Sequence, residues 1–519
     1  MEDKSARMPP PRLLILSVVL CLLFSLRVDA NGGTENFSRA TDPPGRELRG
    51  VWMATVLNID YPQRPTTDAS TLMADFRSQL FRLRRAGINA IFFQVRPAGD
   101  AIYPSRYAPW SEWLTGQQGT APASDFDPLA FMIKEAHAQG VELHAWVNPY
   151  RAAMTLDSTR FAAKHLYHRH PDWIRAYGGR QYLDPGLPQV RQHLGLVIEE
   201  LVDNYDLDGI HFDDYFYPYP VQGVTFPDST TYLRYGAGKS LGDWRRENVN
   251  TFIAETHQRI KSRKPWMQFG VSPFGVWRNR SQDPTTGSAT SASVSSYDDL
   301  YGDALAWAQR GTVDYLLPQL YWHRGYAPAD YDILLRWWVN NTPRDFPLLS
   351  GQAAYKVGDN PEAAWDDPLE IFRQVNFNDQ YPSVAGSVYF STRSVLANKL
   401  NFVGVLAQRY ATLSILPPRK APGGVKEVEV KVFRPRNTDK GRLIVWEVQG
   451  EMPKEDLPHY YAIYRRGSDG QRRLIHRTPY GQGCTRYHYY DQVEASMAYD
   501  YFIVALDRYH RVMPDAVAK

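Results

Sequence analysis

The feature that most constrains the fold is a regular alternation of strand-like and helix-like segments between residues 48 and 410. Eight segments have the apolar, β-branched and aromatic composition of buried strands: 48–56, 89–97, 141–151, 207–218, 267–277, 313–322, 347–357 and 385–392. Apolar residues at helical spacing predict helices between and after them: 71–86, 126–139, 188–205, 244–263, 301–310, 331–340, 369–376 and 395–410. This order predicts an α/β fold, a (β/α)8 TIM barrel. The alternative, an open doubly wound sheet, requires a Gly-rich phosphate-binding turn after the first strand, and the sequence has none there.

The barrel domain is predicted to span residues 48–414, followed by a Pro/Gly linker at 415–424. From 425 to 519, short alternating runs separated by turn residues predict a small all-β sandwich. The placement of Trp446 and of the tyrosines around 461 and 501 resembles a fibronectin type III module. No chemistry is assigned to this module, and Cys484 is expected to be a buried small hydrophobic residue.

The first 30 residues have the pattern of a signal peptide: basic residues, an apolar run at 13–26 and small residues at the cleavage position. Because the run is short for a membrane span, we expect cleavage and export, followed by a flexible leader at 31–47. Cys21 lacks the small residues that precede a lipidated cysteine, so lipoprotein anchoring is not favoured. After cleavage one cysteine remains, which excludes a disulfide framework and a cysteine metal site. The expected location is periplasmic, envelope-associated or secreted.

Charge and composition narrow the class of partner. The net charge is +3 over 519 residues without a basic tract, which argues against nucleic acid and lipid surfaces as partners. The chain has 14 Trp and 33 Tyr, and aromatic rings stack on sugars, although cores use such residues as well. The sequence leaves the oligomeric state open.

Polar residues follow the predicted strands, where a TIM barrel has its active-site mouth. Neutral hydrogen-bonding groups, arginines, carboxylates and aromatic rings in this position suit a polyhydroxylated substrate. In strand order they are Asn58, Asp60; Gln94, Arg96, Asp100; His144, Asn148, Tyr150, Arg151; His211, Asp213, Asp214, Tyr215; Ser272, Trp277; Gln319, Tyr321, Trp322, His323; Gln352, Tyr355, Lys356; Tyr389 and Ser391.

The fourth predicted strand ends in two adjacent carboxylates, within LDGIHFDDYFYP at 207–218. Since side chains alternate along a strand, Asp213 shares a face with His211 and Tyr215, and Asp214 lies on the other face. We expect Asp213 to point into the mouth, with Asp214 as its close partner; a bulge at the strand end would reverse the two. An Asp pair that only caps the following loop is the plain alternative.

Glycoside hydrolysis uses two carboxyl groups that flank the scissile bond. Adjacent residues on opposite faces are poorly placed for this, so Asp213 is expected to pair with a carboxylate from another loop. Asp100 is the first candidate, and Glu112 and Asp298 follow. Asp100 has an alternative role as a turn-former after Ala98 and Gly99.

Two other chemistries are weaker. His211, Asp213 and Asp214 are metal-ligand types, and His144 or His323 would have to supply a further ligand. None of His144, His211 and His323 has a second histidine at His-x-His or His-x-x-x-His spacing, so no metal site is predicted. Ser272 lacks the Gly-x-Ser-x-Gly elbow of a serine hydrolase. The residues indicate no cofactor.

Five motifs in order resemble the bacterial glycosyl hydrolase-like family ten: LRGVW at 48–52, FQVRP at 93–97 with Asp100, AWVNPYR at 145–151, DGIHFDDY at 208–215 and PQLYW at 318–322. This family is exported and includes a peptidoglycan glycosidase that acts on glycan strands without stem peptides. The resemblance implies a TIM-barrel glycosidase acting on a cell-envelope glycan; several relatives carry a C-terminal fibronectin-like module. The DGIHFDDY motif is also similar to the fourth-strand motif of chitinases. Because Tyr215 replaces the general-acid Glu and His211 the first inner Asp, that mechanism does not transfer.

The sequence therefore predicts an exported glycosidase acting on peptidoglycan or a similar amino-sugar polymer. Asp213, Asp214 and Asp100 are the catalytic candidates. The substrate-binding candidates are Arg96, Asn148, Tyr150, Arg151, His211, Tyr215, Gln319, Tyr321 and Trp322. A catalytically weak glycan-binding protein is the first alternative, and a metal-dependent hydrolase is the second.

Overall fold

The computed structural model describes residues 45–123, 125–453 and 456–518. The predicted signal peptide and leader residues 31–44 lie outside the described residues. Residues 45–47, which the sequence places in the leader, are held against the body of the protein: Arg46 forms a β-bridge with Ile415, and buried Glu47 pairs with Arg49 and Arg409. Within the described ranges, no helix has both the length and the apolar character needed to cross a bilayer.

The first part of the chain alternates strands and helices. The strands are β1 (Leu48–Met53), β2 (Ala90–Arg96), β3 (Glu142–Val147), β4 (Arg151–Ala153), β5 (Ile174–Tyr177), β6 (Arg180–Leu183), β7 (Gly209–Phe212), β8 (Gln268–Val271), β9 (Tyr315–Leu316), β10 (Leu348–Gln352) and β11 (Val384–Tyr389). The helices are α1 (Ala69–Arg85), α2 (Glu112–Thr115), α3 (Pro128–Ala138), α4 (Leu166–Arg169), α5 (Pro188–Asn204), α6 (Ser229–Tyr235), α7 (Leu241–Arg263), α8 (Ala304–Arg310), α9 (Tyr331–Asn341), α10 (Glu370–Asn378), α11 (Thr392–Ala397) and α12 (Phe402–Arg409). Strands β1, β2, β3, β7, β8, β9, β10 and β11 close in that order into a parallel barrel. The predicted TIM barrel is confirmed.

Helix α1 shows how the sequence forms the outer layer. The Asp68 carboxylate accepts from the backbone N–H groups of Ser70 and Thr71, which caps the helix start. The buried face of α1 carries Leu72, Phe76, Leu80 and Leu83, which belong to one core cluster with Ile91, Phe93 and Val95 of β2. The spacing of apolar residues thus lays one face of the helix on the outside of the barrel.

The barrel interior is filled by rings. The Phe92 ring lies 4.7 Å from that of His144 and 4.9 Å from that of His211, between ring centroids. Glycines on neighbouring strands leave the space: a Cβ on Gly209 would lie 2.3 Å from Nδ1 of His144, and one on Gly270 would lie 2.1 Å from the Tyr315 ring. The barrel is therefore a packed core that opens only at its mouth.

Two irregularities shape the mouth. The loop after β3 carries an antiparallel sheet of β4, β6 and β5, whose last hairpin turns at Gly178 and Gly179 with φ of +56° and +76°. Such a two-residue turn requires positive φ at both positions, which glycine adopts without strain. The predicted sixth strand is shorter than expected, since the β9 ladder ends at Leu316 and Pro318 has no N–H to donate.

The C-terminal part is all-β, as predicted. Strands β12 (Val430–Val432), β13 (Arg436–Thr438), β14 (Gly441–Val448) and β17 (Arg486–Asp491) form one antiparallel sheet. Strands β15 (Tyr460–Arg466), β16 (Arg472–Arg477), β18 (Asp500–Leu506) and β19 (Val512–Ala518) form the other. Buried Trp446, Tyr461 and Ile503 lie in the core shared by the two sheets. The expectation for Cys484 was wrong: it lies in the turn before β17, where its side chain is exposed.

The sandwich packs against the end of the barrel where the strands begin. Glu142, the first residue of β3, is buried and forms an ion pair with Arg419 of the linker. His510 Nε2 of the sandwich lies 3.0 Å from Oε1 of the same carboxylate. The linker residues Ile415 and Leu416 are buried as well. The sandwich is therefore held at the face opposite the predicted mouth.

Candidate active site

The two carboxylates of the fourth barrel strand, Asp213 and Asp214, directly follow β7. Both side chains are buried, with Asp213 5 % and Asp214 3 % exposed. They belong to the barrel end where the parallel strands terminate, the end at which TIM-barrel enzymes have their active sites. The two side chains reach different neighbours.

Asp213 faces the loop after β3. Its Oδ2 accepts a hydrogen bond from Nδ2 of Asn148, and its Oδ1 accepts a long one, 3.3 Å, from the backbone N–H of Tyr215. Arg151 supplies a positive charge that acts on the same carboxyl, and its guanidinium lies 4.5 Å above the Tyr215 ring. The structure thus brings together Asp213, Asn148, Arg151 and Tyr215, all predicted site residues.

Asp214 has its partners in the loop after β7 and in the segment that follows β9. Its Oδ2 accepts from the hydroxyl of Tyr219, and the side chain of Gln319 is a further hydrogen-bond partner. The Gln319 amide is itself held, because its Nε2 donates to the carbonyl of Ser272 at 2.9 Å. Two fixed side-chain donors therefore serve Asp214.

Burial dominates the electrostatics of the pair. It raises the pKa of Asp213 to about 7, and the neighbouring Asp214 adds to this rise, against the lowering effects of Arg151, Tyr215 and Asn148. Burial also raises the pKa of Asp214, while Tyr219 and Gln319 lower it. Because the charge of one carboxylate opposes ionisation of its buried neighbour, the pair favours a state with one carboxyl protonated and the other ionised, which is the charge state that acid–base catalysis needs.

Aromatic rings surround the carboxylates. Tyr215 and Tyr219 lie 5.3 Å apart, Tyr219 and Phe274 6.1 Å, and Phe274 and Trp322 5.5 Å, between ring centroids. These four side chains are half-buried, as is Tyr321. Burial raises the pKa of the Tyr321 hydroxyl, and the charges of both aspartates add to this rise. Half-exposed rings beside polar groups form a surface on which sugar rings can stack.

His211 lies beneath the carboxylates rather than at the mouth. It is fully buried, with Nε2 3.0 Å from Oγ of Ser272 and Nδ1 3.1 Å from the hydroxyl of Tyr315. Burial lowers the pKa of His211 well below its usual range, so the ring is neutral. Both ring nitrogens are engaged, which makes His211 a support for the strand end.

Three further predicted residues have partners other than Asp213. The Asp100 carboxylate is buried and hydrogen-bonds to Ala98 and Ser111; burial raises its pKa to about 6. Arg96 is buried among Tyr103, Asp100 and Glu200, and the Tyr150 ring packs 5.2 Å from Phe252. Of the other acidic candidates, Glu112 pairs with Arg160 and Asp298 with Arg278.

Across residues 45–123, 125–453 and 456–518, no group of three His, Cys, Asp or Glu side chains is arranged to hold a metal ion. The hydrogen bonds of His211 to Ser272 and Tyr315 occupy the nitrogens that a metal would need.

The sequence does not identify Tyr219 as a site residue, and it presents Gln94 only as one of many strand-end residues. Tyr219 follows Asp214 by five residues in an irregular loop, where no periodicity tells which way a side chain points. An aromatic-rich run after a catalytic strand, here YFYPY at 215–219, is the signal that could have included it.

Comparison with known proteins gives the family of this chain. The sequence profile of the family described as glycosyl hydrolase-like 10 matches residues 47–367. The glycosyl hydrolase YngK of Bacillus subtilis is 40 % identical over 473 residues, which cover 90 % of this chain and 91 % of that protein. The glycosyl hydrolase DigH of Escherichia coli K12 is 38 % identical over 407 residues, 73 % of this chain and 92 % of that protein. The chain therefore belongs to the glycosyl hydrolase-like 10 family, and its activity class is that of a glycosidase.

Proposed function

We propose that this protein is an exported glycosidase that hydrolyses a cell-envelope polysaccharide, with peptidoglycan glycan strands or a related amino-sugar polymer as the substrate. The observation that carries the proposal is the pair Asp213 and Asp214: two buried carboxyl groups with raised pKa at the barrel mouth, each held by its own amide donor. The strand alternation that would place the two residues on opposite faces ends at Phe212, the last residue of β7, and the charge of Asp214 acts on Asp213. We therefore assign the proton and the negative charge for one glycosidic bond to this pair rather than to Asp213 and a carboxylate of another loop.

Asp213 is assigned the role of general acid. With its pKa near 7, a large fraction carries a proton at neutral pH, and that proton passes to the glycosidic oxygen as the bond to the anomeric carbon breaks. Asp214 is assigned the role of the ionised partner, since Tyr219 and Gln319 donate hydrogen bonds to it. Its negative charge stabilises the positive charge that develops on the sugar ring. Water then adds to the anomeric carbon and gives one proton to the Asp213 carboxylate, which restores the protonated acid.

The substrate class is supported by two features. The half-buried rings of Tyr215, Tyr219, Phe274, Tyr321 and Trp322 give a stacking surface beside the carboxylates. The motif resemblance to a family with a peptidoglycan glycosidase, together with the signal-peptide pattern of residues 1–30, favours a glycan of the cell envelope.

A substrate panel tests the proposal. Purified peptide-free glycan strands, peptide-bearing peptidoglycan and cellulose are incubated with the mature protein, and new reducing ends are measured. We expect release from peptide-free strands and none from cellulose, which lacks amino sugars. Hydrolysis of cellulose at a similar rate would overturn the amino-sugar assignment.

Export is tested separately by N-terminal sequencing of the protein purified from the producing cells. We expect a mature chain that begins near residue 31, because the small residues of the cleavage site end at Ala30. A chain that retains Met1 in the cell interior would contradict export.

A further inference from the structure

A chain of amide hydrogen bonds leads from the first barrel strand to Asp213. The Oε1 of Gln94 accepts from the backbone N–H groups of Thr55 and Val56, each at 2.9 Å. Because a backbone N–H can only donate, the oxygen of this side-chain amide must face the segment just after β1, and its NH2 group must face away. The direction of the Gln94 amide is thus determined by the backbone.

The same direction continues through Asn148. The Nε2 of Gln94 lies 2.5 Å from Oδ1 of Asn148, so the opposite side of the Asn148 amide, Nδ2, faces Oδ2 of Asp213. Both amides are fully buried, which leaves no water to replace either partner. Each link in the chain can therefore be made in one orientation only.

We infer that Gln94 is a positioning residue for the reaction: acting through Asn148, it keeps Oδ2 of Asp213 an acceptor and confines the proton of neutral Asp213 to Oδ1. The inference rests on the proposed role of Asp213 as the acid. Oδ1 is the oxygen with only the long contact to the Tyr215 N–H, so it is the one able to carry and release a proton. The Asn148 donor also keeps the Asp213 pKa lower than burial alone would set it.

The test measures the pKa of Asp213 directly, from the pH dependence of its carboxyl signal in infrared or ¹³C NMR spectra. The signal is assigned to Asp213 because it is absent from the spectrum of Asp213→Asn. In Gln94→Met the Asn148 amide loses its anchor, and we expect the Asp213 pKa to rise by about 0.5–1 unit. In Asn148→Ala the rise is at least as large, and adding Gln94→Met to Asn148→Ala changes nothing further, because Gln94 acts through Asn148. Gln79→Met, at another buried glutamine, leaves the titration unchanged.

Catalysis gives the second readout. We expect Gln94→Met to lower kcat about 10- to 100-fold with KM within about threefold, since the proton donor is misdirected while the glycan surface is intact. An unchanged Asp213 pKa in folded Gln94→Met, or an effect that persists without Asn148, would overturn the inference. If wild type hydrolyses no glycan, the proposed function fails, but the carboxyl titration still decides the role of Gln94.

A variant that does not fold is replaced by Gln94→Glu, which keeps an acceptor oxygen for Thr55 and Val56. Its added charge raises the Asp213 pKa by itself, so its effect is compared with and without Asn148→Ala. The inference requires a smaller effect in the absence of Asn148, and equal effects in both backgrounds contradict it.

Discussion

The hydroxyl of Tyr219 donates a hydrogen bond to Oδ2 of Asp214, five residues earlier in the loop after β7. Burial raises the pKa of Asp214, and this hydrogen bond is the strongest influence in the opposite direction. The phenol itself stays protonated, because burial and both aspartates raise its pKa. Tyr219 is thus a permanent donor that favours the ionised form of Asp214.

Replacing Tyr219 by phenylalanine removes this donor and keeps the ring. We expect the Asp214 pKa to rise, so that the acid limb of the pH–rate profile moves to higher pH by about one unit. The rate at the optimum falls about 10-fold. The measurement is kcat/KM against pH, and Tyr235→Phe, on α6, is the matched control. An unmoved acid limb would mean that Asp214 does not act as the ionised partner.

Arg151 affects the opposite limb. Its positive charge lowers the pKa of Asp213, so Arg151→Gln should raise that pKa above about 7. An acid catalyst works while it is protonated, and activity is lost as pH rises through its pKa. The alkaline limb should therefore extend to higher pH in the variant, whereas Arg106→Gln, at an exposed site after β2, leaves it in place. A shift to lower pH contradicts the assignment of Asp213 as the acid.

The raised pKa of Asp213 also predicts a pH-dependent cost in stability. The folded pKa of about 7 lies above the ordinary value of 3.8, so the folded state binds more protons between these pH values. The contribution of Asp213 to the free energy of unfolding is therefore fully present below pH 3.8 and declines as the pH rises through the folded pKa of about 7. Asp213→Asn removes the buried charge, and we expect it to be more stable than wild type at pH 8 by on the order of 1–3 kcal/mol. Denaturant unfolding at pH 5 and pH 8 checks this, and a gain that is equal at both pH values would contradict it.

A buried ion pair, Arg419 with Glu142, lies where the linker and the sandwich meet the barrel. Arg419→Met removes the arginine partner of the buried Glu142 carboxylate and leaves it with His510 and His144, and we expect a loss of about 3–5 kcal/mol in the free energy of unfolding. The double variant Glu142→Gln with Arg419→Met should recover much of this loss, because no charge is left buried. Denaturant unfolding of the three proteins measures the difference. Equal stability of Arg419→Met and wild type would show that the pair does not hold the two parts together.

The TIM barrel and the strand end that carries the two carboxylates could be predicted from the sequence, because both depend on local sequence pattern. Alternating strands and helices determine a TIM barrel, and the end of the fourth strand places Asp213 and Asp214 at its mouth. The sequence alone does not predict which atoms the Asp213 and Asp214 side chains contact. Gln94 lies 119 residues before Asp213 in the chain, and Tyr219 lies 6 residues after it. Contacts of this kind depend on closure of the barrel and on irregular loops.

Other structural features were not predicted from the sequence, for related reasons. The short strands β4, β5 and β6 are too brief for a periodic signal, and their pairing depends on the turn at Gly178 and Gly179. The linker reads as a Pro/Gly spacer, yet Arg419 within it is buried against Glu142, since a partner distant in sequence compensates its charge. Exposure of Cys484 likewise depends on the turn before β17 rather than on residue type.

We expect Asp213, and not the third predicted catalytic residue Asp100, to perform the acid chemistry. The most direct measurement is the rate of reducing-end release from peptide-free glycan strands by wild type, Asp213→Asn and Asp100→Asn, each with and without a chelator, with glycan binding measured in parallel. We predict a loss of at least about 10³-fold for Asp213→Asn with binding retained, a loss below about 10-fold for Asp100→Asn, and no effect of the chelator. Near wild-type hydrolysis by Asp213→Asn, binding without hydrolysis by the wild type, or inactivation by the chelator would contradict the account.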